Sequence, residues 1–421
     1  MSGYKYINNE LLCEEVPVKE LVRVFGTPLY VYSYGVIQHN YYEYTRALAN
    51  IDHLVCYSVK ANSNLSLLKL MSNLGAGFDI VSGEELQRVL EIGATPGKIV
   101  YSGVGKSREE IELALKAEIL MFNVESLGEL LLINDLAVNL KLKANISFRV
   151  NPEVNARTHP YITTGMRENK FGITFEEAIQ FSSLTRNLSN VNLVGIDCHI
   201  GSQITDIEPY LFSIRRLIQL YFTLTEQGFN IKIIDIGGGL GISYQGKAVP
   251  GPEEWSSAIV EELKEMVGIK LIVEPGRSIV ASSGVIIGKV LYQKSREGKN
   301  FLIVDIGMNN LIRPCLYNAY HDLKPVFLEE EKETAIFDVV GPLCETSDFL
   351  GKERNLPWMQ PGDLLAVMDT GAYGFSLASN YNSKPKAAEV LVKGKEYYLI
   401  RKKETFKDLI SKEIIPEILE N

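Results

Sequence analysis

The sequence predicts an α/β protein: a (β/α)8 barrel of the TIM type over residues 34–277, joined to an all-β domain, sandwich or barrel, built from residues 1–33 and 278–421. Three observations predict it. Between Asp52 and Pro275 short apolar runs alternate with amphipathic stretches of helical length. Helix-start signals sit between several of these runs. After Arg277 the alternation stops, and β-like runs follow one another with Gly, Pro and charged turns between them.

The apolar runs, in order, are His53–Val59, Gly77–Val81, Ile99–Ser102, Ile119–Val124, Asn145–Val150, Leu193–His199, Ile231–Ile236 and Leu271–Glu274. Most are rich in Val and Ile at consecutive positions, as strands buried on both faces of a parallel sheet require. Ser82 with Glu85, Ser126 with Glu129 and Thr174 with Glu177 have the spacing of a capping box. Eight units in this span approach the roughly 250 residues typical of a (β/α)8 barrel; a doubly wound open sheet is the competing arrangement. Beyond the barrel, Ile279–Leu291, Phe301–Ile306, Thr334–Val340, Asp363–Met368, Ala388–Val392 and Tyr397–Arg401 read as strands, with a helical tail near Phe406–Ile410. Tyr4–Ile7 and Pro28–Ser33 are expected to join them, making the β domain discontinuous in sequence.

Composition narrows the function. With 46% hydrophobic and 23% charged residues the chain is globular, neither disordered nor fibrous. Its 43 Lys+Arg against 52 Asp+Glu leave a net charge of −9 with no basic patch, which argues against nucleic acid as a partner. The longest stretch without a charged residue, Val24–Tyr42, holds Thr27, Pro28, Gln38, His39 and Asn40 and cannot cross a bilayer. The N-terminus lacks a basic segment followed by an apolar core. Five widely spaced cysteines (Cys13, Cys56, Cys198, Cys315, Cys344) include no C-x-x-C pair, so neither a disulfide framework nor a metal site is expected. These features fit a cytoplasmic protein.

In a barrel, chemistry sits where the strands end. The first run ends in Tyr57-Ser58-Val59-Lys60-Ala61-Asn62, where a partly desolvated lysine amine becomes a nucleophile; for an isolated lysine the plainer reading is a salt bridge. The seventh ends in Asp235-Ile236-Gly237-Gly238-Gly239-Leu240-Gly241, a loop suited to an anion, though tight turns use the same residues. The eighth ends in Glu274-Pro275-Gly276-Arg277 and the sixth in Cys198-His199-Ile200-Gly201-Ser202-Gln203. A structural ion pair and a hydrogen-bonded core histidine are the plainer readings of those two. Ser202, His199 and Asp197 lie too close in one segment to form a hydrolase triad, and there is no G-x-S-x-G elbow. A reactive amine, a phosphate-shaped loop, a rim carboxylate and an imidazole together suggest pyridoxal 5'-phosphate.

With those residues in place, the chain resembles the fold-type III pyridoxal-phosphate decarboxylases. The likeness is carried by Tyr57–Asn62, Gly77-Phe78-Asp79-Ile80-Val81-Ser82-Gly83-Glu84, His159–Gly165, Asn169-Lys170-Phe171-Gly172, His199–Gln203, Gly237–Gly241 and Glu274–Arg277. It continues through Arg313-Pro314, Tyr317, Gly341-Pro342-Leu343-Cys344-Glu345 and Gly371-Ala372-Tyr373. The resemblance implies that Lys60 carries the cofactor, that His199 stacks on its ring and that Glu274 pairs with the pyridine nitrogen. Asp79, Ser202, Gly238, Gly239, Pro275, Gly276, Arg277 and Tyr373 are implied around the cofactor and its phosphate. Arg277, Arg313, Tyr317, Glu345 and Tyr373 are implied at the substrate. Cys344 is implied as the acid that protonates the decarboxylated carbon, delivered from the second subunit of a homodimer with shared active sites. His159–Gly165 and the Cys344-Glu345 pair look like the branch of the family that converts meso-diaminopimelate to L-lysine and CO2, because a distal amino-acid head needs both an arginine and an acid. Thr346 stands where the family pattern has Ser, which keeps the hydroxyl. A decarboxylase of ornithine, arginine or lysine, and a pyridoxal-phosphate-binding regulatory relative without catalysis, remain the alternatives. A racemase fits less well, because that class places Arg against the pyridine nitrogen. The other four cysteines are expected only to pack.

Overall fold

The computed structural model describes residues 3–154, 170–266, 268–329 and 332–419. The motif His159–Gly165 and the residue Asn169 lie outside the described residues.

Each apolar run before Arg277 is a strand: β1 (His53–Ser58), β2 (Gly77–Ile80), β3 (Ile99–Tyr101), β4 (Met121–Val124), β5 (Ala144–Arg149), β6 (Val191–Asp197), β7 (Ile233–Asp235) and β8 (Lys270–Val273). They pair in parallel in sequence order, and β8 returns to β1 with Leu271 opposite His53, so the sheet closes. Closure removes both edges, and the open-sheet alternative falls with it. Cys56, Val100, Met121, Ile233 and Ile272 form a buried apolar cluster of this barrel. The capping signals work as their chemistry requires. Ser82 and Ser126 accept the backbone N–H groups of Glu85 and Glu129. Thr174 and Glu177 complete a reciprocal box that starts the helix Phe175–Thr185.

The helix Tyr34–Ala47 precedes β1 and seals the barrel after β8. Asn40 donates to the Ile279 carbonyl (2.8 Å), and the Tyr44 and Ser278 hydroxyls are 2.7 Å apart. Tyr44 also meets the fully buried Trp255 edge-on.

The chain divides into two compact units, residues 38–280 and residues 1–37 with 281–421. The second is organised on a nine-stranded sheet whose main path runs Phe349–Pro357, Thr334–Val340, Lys299–Val304, Gly284–Arg296, Leu29–Ser33, Ala388–Lys393, Glu396–Arg401. Leu29–Ser33 lies between an antiparallel and a parallel neighbour, and all five of its residues are buried. An N-terminal segment therefore supplies an interior strand to a sheet made otherwise from the C-terminal half. Tyr4–Ile7 belongs to the same unit but pairs in a separate three-stranded sheet with Glu10–Cys13 and Val16–Pro17.

Three details depart from the sequence reading. The first part of Ile279–Leu291 is helical, and the strand begins at Gly284. Arg313–Tyr317 is a single helical turn, too short to show a period. Phe349–Pro357 is a strand despite its Gly-Lys-Glu-Arg-Asn interior, because it is an edge strand and charges are tolerated there.

Leu29 is fully buried in the β unit's apolar core. Leu29→Ala is expected to cost about 2–5 kcal/mol, read as a lowered guanidinium midpoint of the ligand-free protein. An unchanged midpoint would remove this strand from the core.

Candidate active site

Lys60 follows β1 directly, on the 3-10 turn Val59–Ala61. Its Nζ donates to Asp79 Oδ2 at 2.6 Å, and Asp79, on β2, is fully buried. The salt bridge that is the plain reading of a lone lysine is therefore present, but its acid lies inside the barrel. Ser58 holds the same corner, with its hydroxyl 2.8 Å from Asp79 Oδ2 and 2.9 Å from the Glu274 carbonyl. Asp79 Oδ1 is buried and has no hydrogen-bond partner among the described residues.

Glu274 stands just past β8 and is buried, its backbone N–H donating to the Gly237 carbonyl at 2.8 Å. Burial, then the Asp235 and Asp79 carboxylates, push its carboxyl well above the usual range, against the pull of Lys60 and Arg149. Asp235 is raised in the same way, by burial and then by Asp197; its Oδ1 accepts the Gly237 N–H at 2.9 Å, and its buried Oδ2 has no hydrogen-bond partner among the described residues. Asp197 is raised too, by burial and by Glu274. On the far side of the barrel Arg149 donates to Glu125 Oε1 (2.7 Å), and Glu125 also accepts the N–H groups of Gly103 and Gly172.

His199 follows β6. Its Nδ1 accepts the Gly238 N–H at 3.2 Å, which places the ring proton on Nε2. Burial, with Arg149 and Lys60 adding repulsion, holds its pKa well below the usual value, so the ring is neutral. The glycine loop after β7 is packed against backbone. A Cβ on Gly238 would sit 2.0 Å from the Glu274 carbonyl oxygen, and one on Gly239 would sit 2.2 Å from that of Gly201. Gly239 also has φ +101°, which disfavours any side chain. Arg277 begins the turn Arg277–Val280 and is buried, its guanidinium donating to the Tyr244 and Ser202 hydroxyls at 3.0 Å each. Pro275 accepts the Ser58 N–H through its carbonyl (3.2 Å). A Cβ on Gly276 would lie 3.0 Å from those of Ser58 and Ala61. Lys60, Asp79, His199, Ser202, Gly238, Gly239 and Glu274–Arg277 thus gather at the C-terminal ends of β1, β2, β6, β7 and β8.

The remaining sequence-predicted residues lie in the β unit. Arg313, buried, donates to His321 Nε2 at 3.3 Å, and His321 Nδ1 is 2.8 Å from the Met368 carbonyl. The carbonyl can only accept, so Nδ1 carries a proton and Nε2 of the neutral ring is left to accept from Arg313. Tyr317 ends the same helical turn, half-buried. Cys344 and Glu345 are exposed on a loop pinned by Asp348, whose carboxylate accepts the N–H groups of Met308 (2.6 Å) and Leu343 (2.7 Å). Asn382 accepts the Cys344 N–H (2.9 Å), and the Tyr381 hydroxyl donates to Glu345 (3.2 Å). Tyr373 is half-buried with φ +56°, a left-handed conformation unusual for an aromatic residue. Cys13, Cys56 and Cys198 are buried, and burial pushes their thiols up; Cys315 is half-buried. Cys344 is the exposed one.

Sequence reasoning passed over Ser58, Glu85, Ser102, Asn123, Asp235, Tyr244, His321, Asp348 and Tyr381. Asn123 left one signal, a polar side chain inside an otherwise apolar run. Ser58, Ser102 and Asp235 likewise stand in apolar runs, and the others are placed by tertiary contacts within their own units.

Residues 34–281 match the family described as "Pyridoxal-dependent decarboxylase, pyridoxal binding domain". The chain is 48% identical to the diaminopimelate decarboxylase of Haemophilus influenzae, over 97% of this chain and 98% of that one. Among solved structures it is similar to the diaminopimelate decarboxylase of Helicobacter pylori complexed with L-lysine, with TM-score 0.90, 42% identity and coverage of 93% and 98%. It is also similar to the enzyme of M. jannaschii in complex with L-lysine, with TM-score 0.94, 40% identity and full coverage of both chains.

Glu85, on the helix Gly83–Glu91, accepts the Val81 N–H (2.8 Å), and burial, with Asp79 adding repulsion, raises its pKa to about 7. A carboxyl that binds its proton more tightly when folded destabilises the protein as pH rises from 4.5 to about 7. Glu85→Gln keeps the acceptor without the charge. It is expected to melt higher than wild type at pH 8, by on the order of 1–3 kcal/mol, and to converge with it near pH 4. Parallel melting curves at both pH values would refute the assignment.

Proposed function

The chain belongs to the diaminopimelate decarboxylase family of pyridoxal-dependent enzymes, and on that premise we propose that it decarboxylates the D-configured centre of meso-2,6-diaminopimelate to give L-lysine and CO2, with pyridoxal 5'-phosphate as cofactor. This is the last step of lysine biosynthesis by the diaminopimelate route. One arrangement supports the reading most: the Lys60 amine on buried Asp79, beside the buried carboxyl groups of Glu274 and Asp235, both pushed toward the neutral form.

The residues fit the cofactor. Asp79, Asp197, Asp235 and Glu274 crowd the barrel interior, and burial and mutual repulsion hold three of them toward the neutral form. A ligand with a protonated ring nitrogen supplies the cation this cluster lacks. Gly238 and Gly239 keep backbone open where side chains do not fit, as an approaching phosphate requires. When bound, the cofactor supplies an electron sink for the pair left behind as CO2 departs.

The chain's residues do the rest. Lys60 holds the cofactor through Nζ, and Asp79 steadies that amine. His199, neutral, covers the ring without adding charge. Glu274 carries a proton in the ligand-free barrel and pairs with the ring nitrogen as its carboxylate. Ser202, Gly238, Gly239, Pro275, Gly276, Arg277 and Tyr373 receive the phosphate. Residues 34–277 are in this reading the cofactor domain, and residues 1–33 with 278–421 the substrate and interface domain. Arg313 pairs with the distal carboxylate of the substrate and Glu345 with its distal ammonium, alongside Tyr317, Arg277 and Tyr373. The Cys344 thiol delivers its proton to the carbon that lost CO2.

Cys344 and Glu345 are exposed, as are Phe406, Ile410, Ile414, Ile415, Ile418 and Leu419 at the C-terminal end. An apolar surface of this kind supports a homodimer with shared active sites, in which Cys344 serves its partner. No helix among the described residues is long and apolar enough to cross a membrane, and a thiol acid works only where it stays reduced, which favours the cytoplasm.

CO2 release from meso-diaminopimelate, with and without added pyridoxal phosphate, tests the reading against ornithine, arginine and lysine as substrates. Faster release from any of those would replace it. Lys60→Ala is expected to abolish the visible absorption of the bound cofactor. Cys344→Ala is expected to lower kcat by about 10²-fold or more while cofactor affinity stays within about twofold. Mixing these two inactive variants under demonstrated subunit exchange should restore part of the activity; no recovery would dismiss the shared site.

A further inference from the structure

The interior of the barrel carries a line of polar side chains that the proposed reaction does not use. Ser147 on β5 donates to the Asn123 side-chain oxygen at 2.6 Å. Asn123, opposite it on β4, donates from its amide nitrogen to Ser102 Oγ at 3.1 Å. Ser102, one residue past β3, donates to Glu274 Oε1 at 3.3 Å. All four residues are buried, Asn123 and Ser147 completely.

The line has a direction. A carboxamide oxygen cannot donate, so the Ser147 proton points to Asn123. The amide nitrogen cannot accept, so Asn123 points to Ser102. Ser102 has one proton, and with a lone pair occupied by Asn123 that proton goes to Glu274. Donors in series polarise one another, so each bond strengthens the next. The line ends on the one carboxyl whose ionised form the cofactor needs. The groups facing Glu274 are Asp235, Asp79, Asp197, Lys60 and Arg149, and the three acids among them oppose ionisation.

We propose that Ser102, Asn123 and Ser147 are positioning residues that orient Glu274 and favour its carboxylate against the cofactor's ring nitrogen. The inference rests on the reading that Glu274 faces that nitrogen. Three neighbouring strands, β3 to β5, thereby contribute to cofactor electronics. A barrel needing only stability would fill these positions with apolar side chains, which carry no hydrogen-bonding requirement.

The test is titration of the ligand-free protein with pyridoxal phosphate, following affinity and the absorption spectrum of the bound cofactor, with the melting temperature of each ligand-free variant measured in parallel. Ser102→Ala is expected to weaken binding about tenfold and to alter the spectrum in the same sense as Glu274→Gln. Ser147→Ala, two bonds further away, is expected to weaken it by about two- to threefold, and it carries the test alone if Ser102→Ala does not fold. Ser102→Thr keeps the hydroxyl and should bind like wild type. If Glu274→Gln weakens binding but Ser102→Ala and Ser147→Ala do not, the relay is overturned and the role of Glu274 stands. If Glu274→Gln leaves affinity and spectrum unchanged, the reading beneath the relay fails with it. Equal losses in Ser102→Ala and Ser102→Thr, tracking lowered melting temperatures, would reduce the serine to packing and overturn the proposal.

Discussion

Too much negative charge is buried in too small a space at the centre of this barrel, and much of the site follows from that constraint. Asp79, Glu125, Asp197, Asp235 and Glu274 are all buried, while the cations facing them are Lys60 and Arg149. A buried carboxylate without a counter-charge is costly, and the carboxyl groups respond by holding protons. Lys60 is tied to Asp79 and Arg149 to Glu125, and the carboxyl groups of Glu274 and Asp235 are both pushed toward the neutral form. The interior is thereby short of positive charge.

The neighbours of that cluster are arranged to preserve it. His199 sits near Arg149 and Lys60 and is kept neutral, so it does not supply the missing cation. Its Nδ1 is occupied by a backbone N–H from the glycine loop, which fixes the tautomer as well as the ring's attachment to that loop. The loop itself cannot accept side chains, because Gly238 and Gly239 press against the carbonyls of Glu274 and Gly201. Loop, imidazole and acid therefore constrain one another: a residue larger than glycine would push on the backbone that carries Glu274.

The β unit solves a different problem, that of presenting polar groups on loops and short turns without letting them wander. Asp348 takes two backbone N–H groups and so shapes the loop bearing Cys344 and Glu345. His321, held by the Met368 carbonyl, offers Arg313 a nitrogen acceptor deep in the unit, which orients the guanidinium.

The sequence by itself determined the eight strands and the residues at their ends, because strand burial on both faces writes a continuous apolar run and chemistry in such folds collects where the runs stop; their closure into a barrel was settled by the pairing of β8 with β1, since an open sheet writes the same runs. It also marked Lys60, His199, Glu274 and the glycine loop, whose motifs are local. Tertiary structure alone decided the partners. Asp79 with Lys60, Asp235 with Glu274 and Ser102 with Asn123 and Ser147 are meetings between different strands, and no periodicity encodes which interior side chains touch. The strand Phe349–Pro357 and the turn Arg313–Tyr317 were illegible for a related reason: an edge strand tolerates charge and a single turn has no period, so neither carries the pattern from which an element is read.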